Sequence, residues 1–279
     1  MENIKDFNDL TQQLEQRGIH KRVAVVCPND ESTIWALDKV RRQSFIDPIL
    51  VDNDDPRKAA REAISLVRQG KADILMKGLI GTDVLLHEIL DREEGILVEG
   101  ELLTHITAAA IPTYDKLLFF TDAAVIPRPT QDQRVIQVRY LVELCHGFGI
   151  EVPRVALIHA SEKVDERHFP YTAGYQTIKE MARQGQFGRC IVDGPLDVKT
   201  ACNKHAMDVK RIVSPIKGQA DALVFPDIES ANAFYKALTL FCGATTAGIL
   251  RGASVPVVLP SRGDSPETKF NSIALACVL

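Results

Sequence analysis

Strand-like and helix-period segments alternate along nearly the whole of this chain, and that rhythm leaves few folds open to it. Residues 8–17 carry apolar side chains at helical spacing and stop at Gly18, residues 22–26 are β-branched and apolar, and residues 31–43 return to the helical period. Residues 48–51 read as a second strand, Asp55-Pro56 opens a helix that closes at Gly70, and residues 73–76 form a third strand. Proline suits the first turn of a helix and glycine its end. Strand–helix–strand repeats need crossover connections, and crossovers build parallel sheets with helices on their faces. The rhythm changes between about residues 93 and 121. Residues 102–111 and 116–121 are two strand-like runs joined by Pro112-Thr113-Tyr114-Asp115, too short for a helix, so this pair is expected to be antiparallel. Alternation then resumes with helices over 131–148, near 176–183, after Leu196 and over 229–241, and strands over 155–158, 190–193, 222–225, 245–250 and 255–259. A last helix is opened by Ser265-Pro266-Glu267, an N-cap, a proline and an acidic first turn. With no repeat or Ser/Gly-rich linker in between, a domain boundary here crosses compact strands.

At 279 residues and 46% hydrophobic content, the chain exceeds the range of a single core, so one large or two medium domains are expected. No apolar run approaches the roughly 20 residues that span a bilayer, and Met1-Glu2-Asn3-Ile4-Lys5-Asp6 lacks a signal-peptide core. A cytoplasmic protein without membrane contact is the expectation. The net charge of -4 and the absence of a basic, aromatic-rich segment argue against nucleic acid as a partner. The six cysteines show no Cys-x-x-Cys pair and read as buried free thiols, and no two histidines stand at ligand spacing, so no metal is expected. Gly147-Phe148-Gly149 follows a helix instead of a strand and lacks a third glycine, which disfavours a dinucleotide site. Neither a phosphate loop of the Walker type nor a Gly-x-Ser-x-Gly nucleophile elbow is present.

In open α/β sheets ligands bind at the carboxyl ends of the strands, so polar clusters that follow strands are the candidates. After residues 73–76 comes Lys77-Gly78-Leu79-Ile80-Gly81-Thr82, a cation and two glycines ahead of a helix with Thr82 as N-cap, a pattern that suits a phosphate. In Thr121-Asp122-Ala123-Ala124 the small residues are expected to leave a hydroxyl and a carboxylate accessible. Asp193-Gly194-Pro195-Leu196-Asp197 reads as a turn with two aspartates, one of which caps the next helix. In Pro226-Asp227-Ile228-Glu229-Ser230-Ala231-Asn232, Asp227 is the N-cap, and Asn232, a poor helix former in the second turn, points to a hydrogen-bonding task. The last cluster, Pro260-Ser261-Arg262-Gly263-Asp264-Ser265, gathers a hydroxyl, a guanidinium and a carboxylate just before the final helix.

In this order the five clusters closely resemble the phosphate acetyltransferase/phosphate butyryltransferase family, over about residues 20–279. In detail Met76-Lys77-Gly78, Leu117-Leu118-Phe119-Phe120-Thr121-Asp122-Ala123-Ala124 and the Asp193 turn are most like its butyryl, branched-chain branch. The resemblance implies two α/β domains with mostly parallel sheets around an interdomain cleft, in the isocitrate/isopropylmalate dehydrogenase manner. It places residues 1–100 with 244–279 in one domain and 101–243 in the other. It further implies a homodimer or larger homo-oligomer with no tightly bound cofactor and no metal, using coenzyme A as a substrate. The implied reaction interconverts acyl-CoA plus phosphate with acyl phosphate plus CoA, without a covalent intermediate.

By the same resemblance Ser261 and Arg262 border the reacting centre, and Asp264 or Glu267 is the base. The acetyl branch's own aspartate position falls on Thr268 here, and of the cations that hold CoA phosphates in that branch only Lys77 has a counterpart. Lys77, Thr82, Thr121, Asp122, Asp193, Asn232 and Ser265 are the expected substrate- and phosphate-binding residues. Two other functions fit the same fold: transfer from an acyl-acyl-carrier-protein to phosphate, for which no basic docking patch stands out, and non-catalytic ligand binding.

Overall fold

A computed structural model of the chain describes residues 4–43, 45–261 and 263–279, which form two compact units. Among these residues no helix is long and apolar enough to cross a membrane.

The outer unit takes Asp6–Leu103 and Thr245–Leu279. Its elements are α1 (Phe7–Gln16), β1 (Lys21–Val26), α2 (Glu31–Arg42), β2 (Ile46–Val51), α3 (Pro56–Arg68), β3 (Ile74–Lys77) and α4 (Thr82–Ile89), followed at the end of the chain by β9 (Thr245–Arg251), β10 (Val257–Val258) and α10 (Pro266–Ala276). The sheet order is β2-β1-β3-β10-β9, parallel except for β9, which runs antiparallel to β10. β3 is buried along its whole length, as a central parallel strand covered on both faces must be. β2 is longer than expected and includes Pro48, which an edge strand tolerates because it needs no donor on its outer side. Helix α3 places Ala59, Ala60, Ala63, Ile64 and Val67 on one buried stripe, and Asp6, Asp30 and Asp55 cap α1, α2 and α3 with their carboxylates.

The central unit is built on Thr104–Ala244. It holds β4 (Thr104–Ala110), β5 (Leu118–Thr121), α5 (Gln131–Gly147), β6 (Arg154–Ile158), α6 (Tyr171–Arg183), β7 (Ile191–Leu196), α7 (Val198–Cys202), α8 (Lys204–Lys210), β8 (Ala222–Val224) and α9 (Ile228–Phe241). Its strands lie in the order β4-β5-β8-β6-β7; β4 and β5 pair antiparallel, as the four-residue connection requires, and the rest are parallel. Phe120, Phe225 and Phe234 pack ring against ring in its core, with centroids 5.2 to 6.1 Å apart.

Four local expectations change. The strand expected to end at residue 193 continues through Gly194 and Pro195 to Leu196, so Asp193 lies in a strand and not in a turn. β7 is the edge of its sheet, where a proline removes no ladder bond that a neighbour needs. The single helix expected after Leu196 is two short ones, and α6 starts at Tyr171, ahead of the expected 176. The strand over 255–259 pairs only at Val257–Val258, leaving a longer polar approach to α10.

Candidate active site

In the outer unit β3 is flanked by β1 and β10, all three parallel, with Lys77 beside Val26 and Met76 beside Val258. Their carboxyl ends therefore emerge side by side. The segments that follow are Cys27-Pro28-Asn29-Asp30 after β1, Lys77-Gly78 at the end of β3, and residues 259–265 after β10. Six of the sequence-predicted residues, Lys77, Thr82, Ser261, Asp264, Ser265 and Glu267, belong to this rim or to the first turns of the helices it feeds. Arg262 lies outside the described residues.

The loop after β10 is tied to itself. The Ser261 amide donates to Asp264 Oδ2 at 2.7 Å, the Asp264 amide donates to the Ser261 carbonyl at 3.2 Å, and the Gly263 amide donates to Ser261 Oγ at 3.4 Å. Asp264 thus shapes the turn that presents Ser261. Ser265 accepts the Thr268 amide at 3.1 Å as the N-cap of α10, and Pro266 takes the first helical position. Glu267 follows, exposed, in the first turn, where the helix dipole favours a carboxylate and an anion alike.

Lys77 is buried, with Nζ 3.3 Å from the Gly78 carbonyl. The turn beyond it approaches β1 closely: the Gly78 amide donates to the Val26 carbonyl at 2.8 Å and the Leu79 amide to that of Cys27 at 2.7 Å. The expectation of Thr82 as N-cap is corrected. Gly81 occupies that position without a side-chain cap, and Thr82 is the first helical residue, exposed to solvent.

Sequence reasoning missed a buried ion pair behind the loop. Lys269 is only 4% exposed, and its Nζ donates to Asp30 Oδ1 at 2.6 Å and to Thr33 Oγ1 at 3.0 Å. Burial alone would raise the Asp30 carboxyl, but hydrogen bonds from Lys269, Ser32 and Thr33 outweigh it and hold the group well below the ordinary carboxylate range. A signal was present in the sequence: Lys269 opens the run 269–276, every residue of which is buried, and a lysine in such a helix needs an internal partner. Cys27, on the same rim, has its thiol pushed up by burial and by Asp52, so it stays protonated.

In the central unit the expected accessibility of Thr121 and Asp122 is corrected: both are buried, because their oxygens are taken up by neighbouring donors and acceptors. Asp122 Oδ2 accepts from Thr104 Oγ1 at 2.7 Å and from the amides of His105 and Ile126, while Oδ1 accepts from the amides of Ala124 and Val125. Five donors on one buried carboxylate fix the turn over residues 122–126. Thr121 Oγ1 donates to the His105 carbonyl at 2.8 Å, and Asn232, from α9, donates to the Ala123 carbonyl at 2.9 Å. The hydrogen-bonding task read into Asn232 is therefore to anchor this turn. Asp193 stands apart on β7, three strands from β5, and pairs with Lys179 at 2.7 Å.

The carboxyl ends of β6, β7 and β8 in this unit surround a hollow of about 430 Å³, walled by Ile158, Phe169, Tyr171, Val198, Phe225 and Pro226. His159 lines it with Nδ1 held 2.8 Å from the Tyr171 hydroxyl; burial pushes its imidazole below the usual value, against a smaller upward pull from Asp165. Asp197 and Asp227, the N-caps of α7 and α9, supply carboxylates to its lining.

This architecture has known counterparts. Residues 11–277 match the family described as phosphate acetyl/butaryl transferase. The phosphate butyryltransferase of Clostridium acetobutylicum is 35% identical over 99% of this chain and 98% of its own, and the phosphate acetyltransferase of Thermotoga maritima is 34% identical over 94% and 96%. The crystal structure of a branched-chain phosphotransacylase from Enterococcus faecalis V583 superposes with a TM-score of 0.84 at 31% identity, covering 92% of this chain and 98% of that one. The chain belongs to the phosphate acetyl/butaryl transferase family and is an acyltransferase of the phosphotransacylase kind.

Proposed function

We propose that this enzyme moves a short apolar acyl group, butyryl or branched-chain, between coenzyme A and inorganic phosphate by direct attack in a ternary complex. The observation that supports the reading is that β3, ending at Lys77, and β10, followed by Ser261 and Asp264, are parallel neighbours whose carboxyl ends emerge side by side ahead of α10. Cationic and hydroxyl donors at a helix N-terminus form an environment for phosphate.

In the direction of CoA acylation, the thiol loses its proton to a carboxylate of the loop, Asp264 or Glu267. The thiolate then attacks the acyl carbonyl, the carbonyl C–O bond to phosphate breaks, and phosphate departs with the electron pair. A free thiol is only a few per cent ionised at neutral pH, which is why a base helps. Arg262 offers a planar donor fork to the phosphate oxygens and to the charge that grows as phosphate leaves, and Ser261 donates to the carbonyl oxygen. The protonated Cys27 thiol supports a route without a protein nucleophile. Initial rates with both substrates varied are expected to give intersecting reciprocal plots; parallel lines would mean an acyl-enzyme and would remove the ternary complex.

Identity to the acetyl and butyryl relatives is nearly equal; the butyryl style of Met76-Lys77-Gly78 and of Leu117 to Ala124, together with the structural match to a branched-chain phosphotransacylase, supports the butyryl or branched-chain choice. Each methylene buried in an apolar acyl pocket is worth roughly 10-fold or more in kcat/KM, and a carboxylate buried there is costly. With acetyl-, propionyl-, butyryl-, isobutyryl- and succinyl-CoA assayed for phosphate-dependent CoA release, butyryl- and isobutyryl-CoA are expected to exceed acetyl-CoA by at least about 10-fold, and succinyl-CoA to be the poorest. Equal rates for acetyl and butyryl would refute the chain preference, and no phosphate-dependent release from any of them would refute the activity.

A further inference from the structure

The buried pair behind the catalytic loop has a place in the reaction that its distance from Ser261 in sequence conceals. Lys269 lies four residues past the N-cap of α10, in a helix whose other residues from Phe270 to Ala276 are buried, and Asp30 lies at the mouth of β1 as the N-cap of α2. An ammonium in such a place is costly to desolvate, and an apolar side chain of similar volume would usually be at least as stable. What a buried ion pair supplies that a methionine does not is a fixed register between the two elements that carry it. Here those elements are the helix that begins at the end of the catalytic loop and the turn that follows β1, two of the three segments that make the rim. Ser261 and Asp264 bond to each other, and Ser265 joins their loop to α10 as the N-cap of that helix, so the position of the loop follows that of α10. The tie to the β1 turn runs through Nζ of Lys269, 2.6 Å from Asp30 and 3.0 Å from Thr33, the latter wholly buried.

We propose that Lys269 is a positioning residue for the acyl transfer: by clasping Asp30 and Thr33 it sets the height of α10, and with it Ser261 and the acidic first turn, over the phosphate-binding end of β3. The inference rests on the function proposed above. A displacement of about 1 Å in a reacting group costs up to roughly 100-fold in rate, so loss of the clasp acts on kcat more than on KM.

The test compares three variants in the full-length enzyme, with butyryl-CoA and phosphate. Lys269→Met keeps the stem and removes the charge; it is expected to lower kcat by about 10- to 100-fold, with KM for butyryl-CoA changed by less than about threefold. Its amide hydrogen exchange over residues 259–268 is expected to quicken by at least about tenfold. Phe270→Leu removes packing from the same turn, where the ring meets Phe45 edge-on at 6.2 Å, and is expected to lower melting temperature while kcat stays within about threefold of wild type. Asp30→Asn keeps the cap on Thr33 and loses the charge, and serves if Lys269→Met fails to fold; about a tenfold loss of kcat is expected.

A folded Lys269→Met or Asp30→Asn enzyme with kcat within about threefold of wild type overturns the proposal. So does a Phe270→Leu enzyme that loses as much turnover as Lys269→Met, since the effect would then be general loosening. If wild type releases no CoA from any acyl-CoA, the functional reading fails, and the exchange rates over 259–268 still decide whether the clasp holds the loop.

Discussion

Replacing Arg262 by alanine is expected to lower kcat by at least about 100-fold, the scale on which an enzyme loses a donor aimed at developing charge. The argument is chemical. Phosphate leaving an acyl group gathers negative charge on its oxygens, and a guanidinium answers with two parallel donors in a fixed plane. Lysine at this position keeps the charge and loses the fork, so Arg262→Lys is expected to recover part of the rate and none of the bidentate geometry. Ser261→Ala is a milder change, because one neutral hydrogen bond is worth about 0.5–1.5 kcal/mol, at most roughly tenfold. The order Arg262→Ala well below Ser261→Ala, measured as kcat at saturating butyryl-CoA and phosphate, distinguishes stabilisation of the leaving group from orientation of the carbonyl. Near-wild-type turnover of Arg262→Ala would take the arginine out of the mechanism.

The α/β rhythm was legible because hydrophobic period, prolines at helix starts and glycines at helix ends agree along most of the chain. The antiparallel β4–β5 pair was legible for a simpler reason, a connection too short for a crossover. Local propensity misled where tertiary context won. Gly194-Pro195 reads as a turn in isolation, yet an edge strand accommodates both, and Asp193 becomes a partner of Lys179. Thr82 has the chemistry of a cap, but Gly81 takes the position. Thr121-Asp122 reads as an accessible hydroxyl and carboxylate at a strand end; the five donors that bury Asp122 come mostly from backbone amides, which no residue pattern announces. The clasp between Lys269 and Asp30 joins residues 239 positions apart, and only the parallel neighbourhood of β1, β3 and β10 brings them together.

That neighbourhood also determines which glycine of the site is replaceable. A Cβ on Gly78 would stand 2.3 Å from the Cys27 carbonyl oxygen and 2.6 Å from that of Val26, both backbone atoms of β1 and its exit turn. Neither can rotate away. Gly78→Ala must therefore break the bonds its own amide and that of Leu79 make to β1, or push β1 and β3 apart at the rim. Overpacking of this kind costs about 1–3 kcal/mol, and the two strained amide bonds bring the expected loss to about 3 kcal/mol or more. Gly263, in the loop after β10, has nothing within 4 Å of the same added carbon, so Gly263→Ala is expected to change stability by less than about 0.5 kcal/mol. Denaturant unfolding of the two variants side by side tests this, with phosphate-dependent CoA release measured on the folded fraction. The turn at Gly78 carries Lys77 as well as the contact to β1, so Gly78→Ala enzyme that remains folded is expected to show a raised KM for phosphate. Equal stability of the two variants would mean that the close approach of β3 to β1 is not what holds the phosphate end of the site in place.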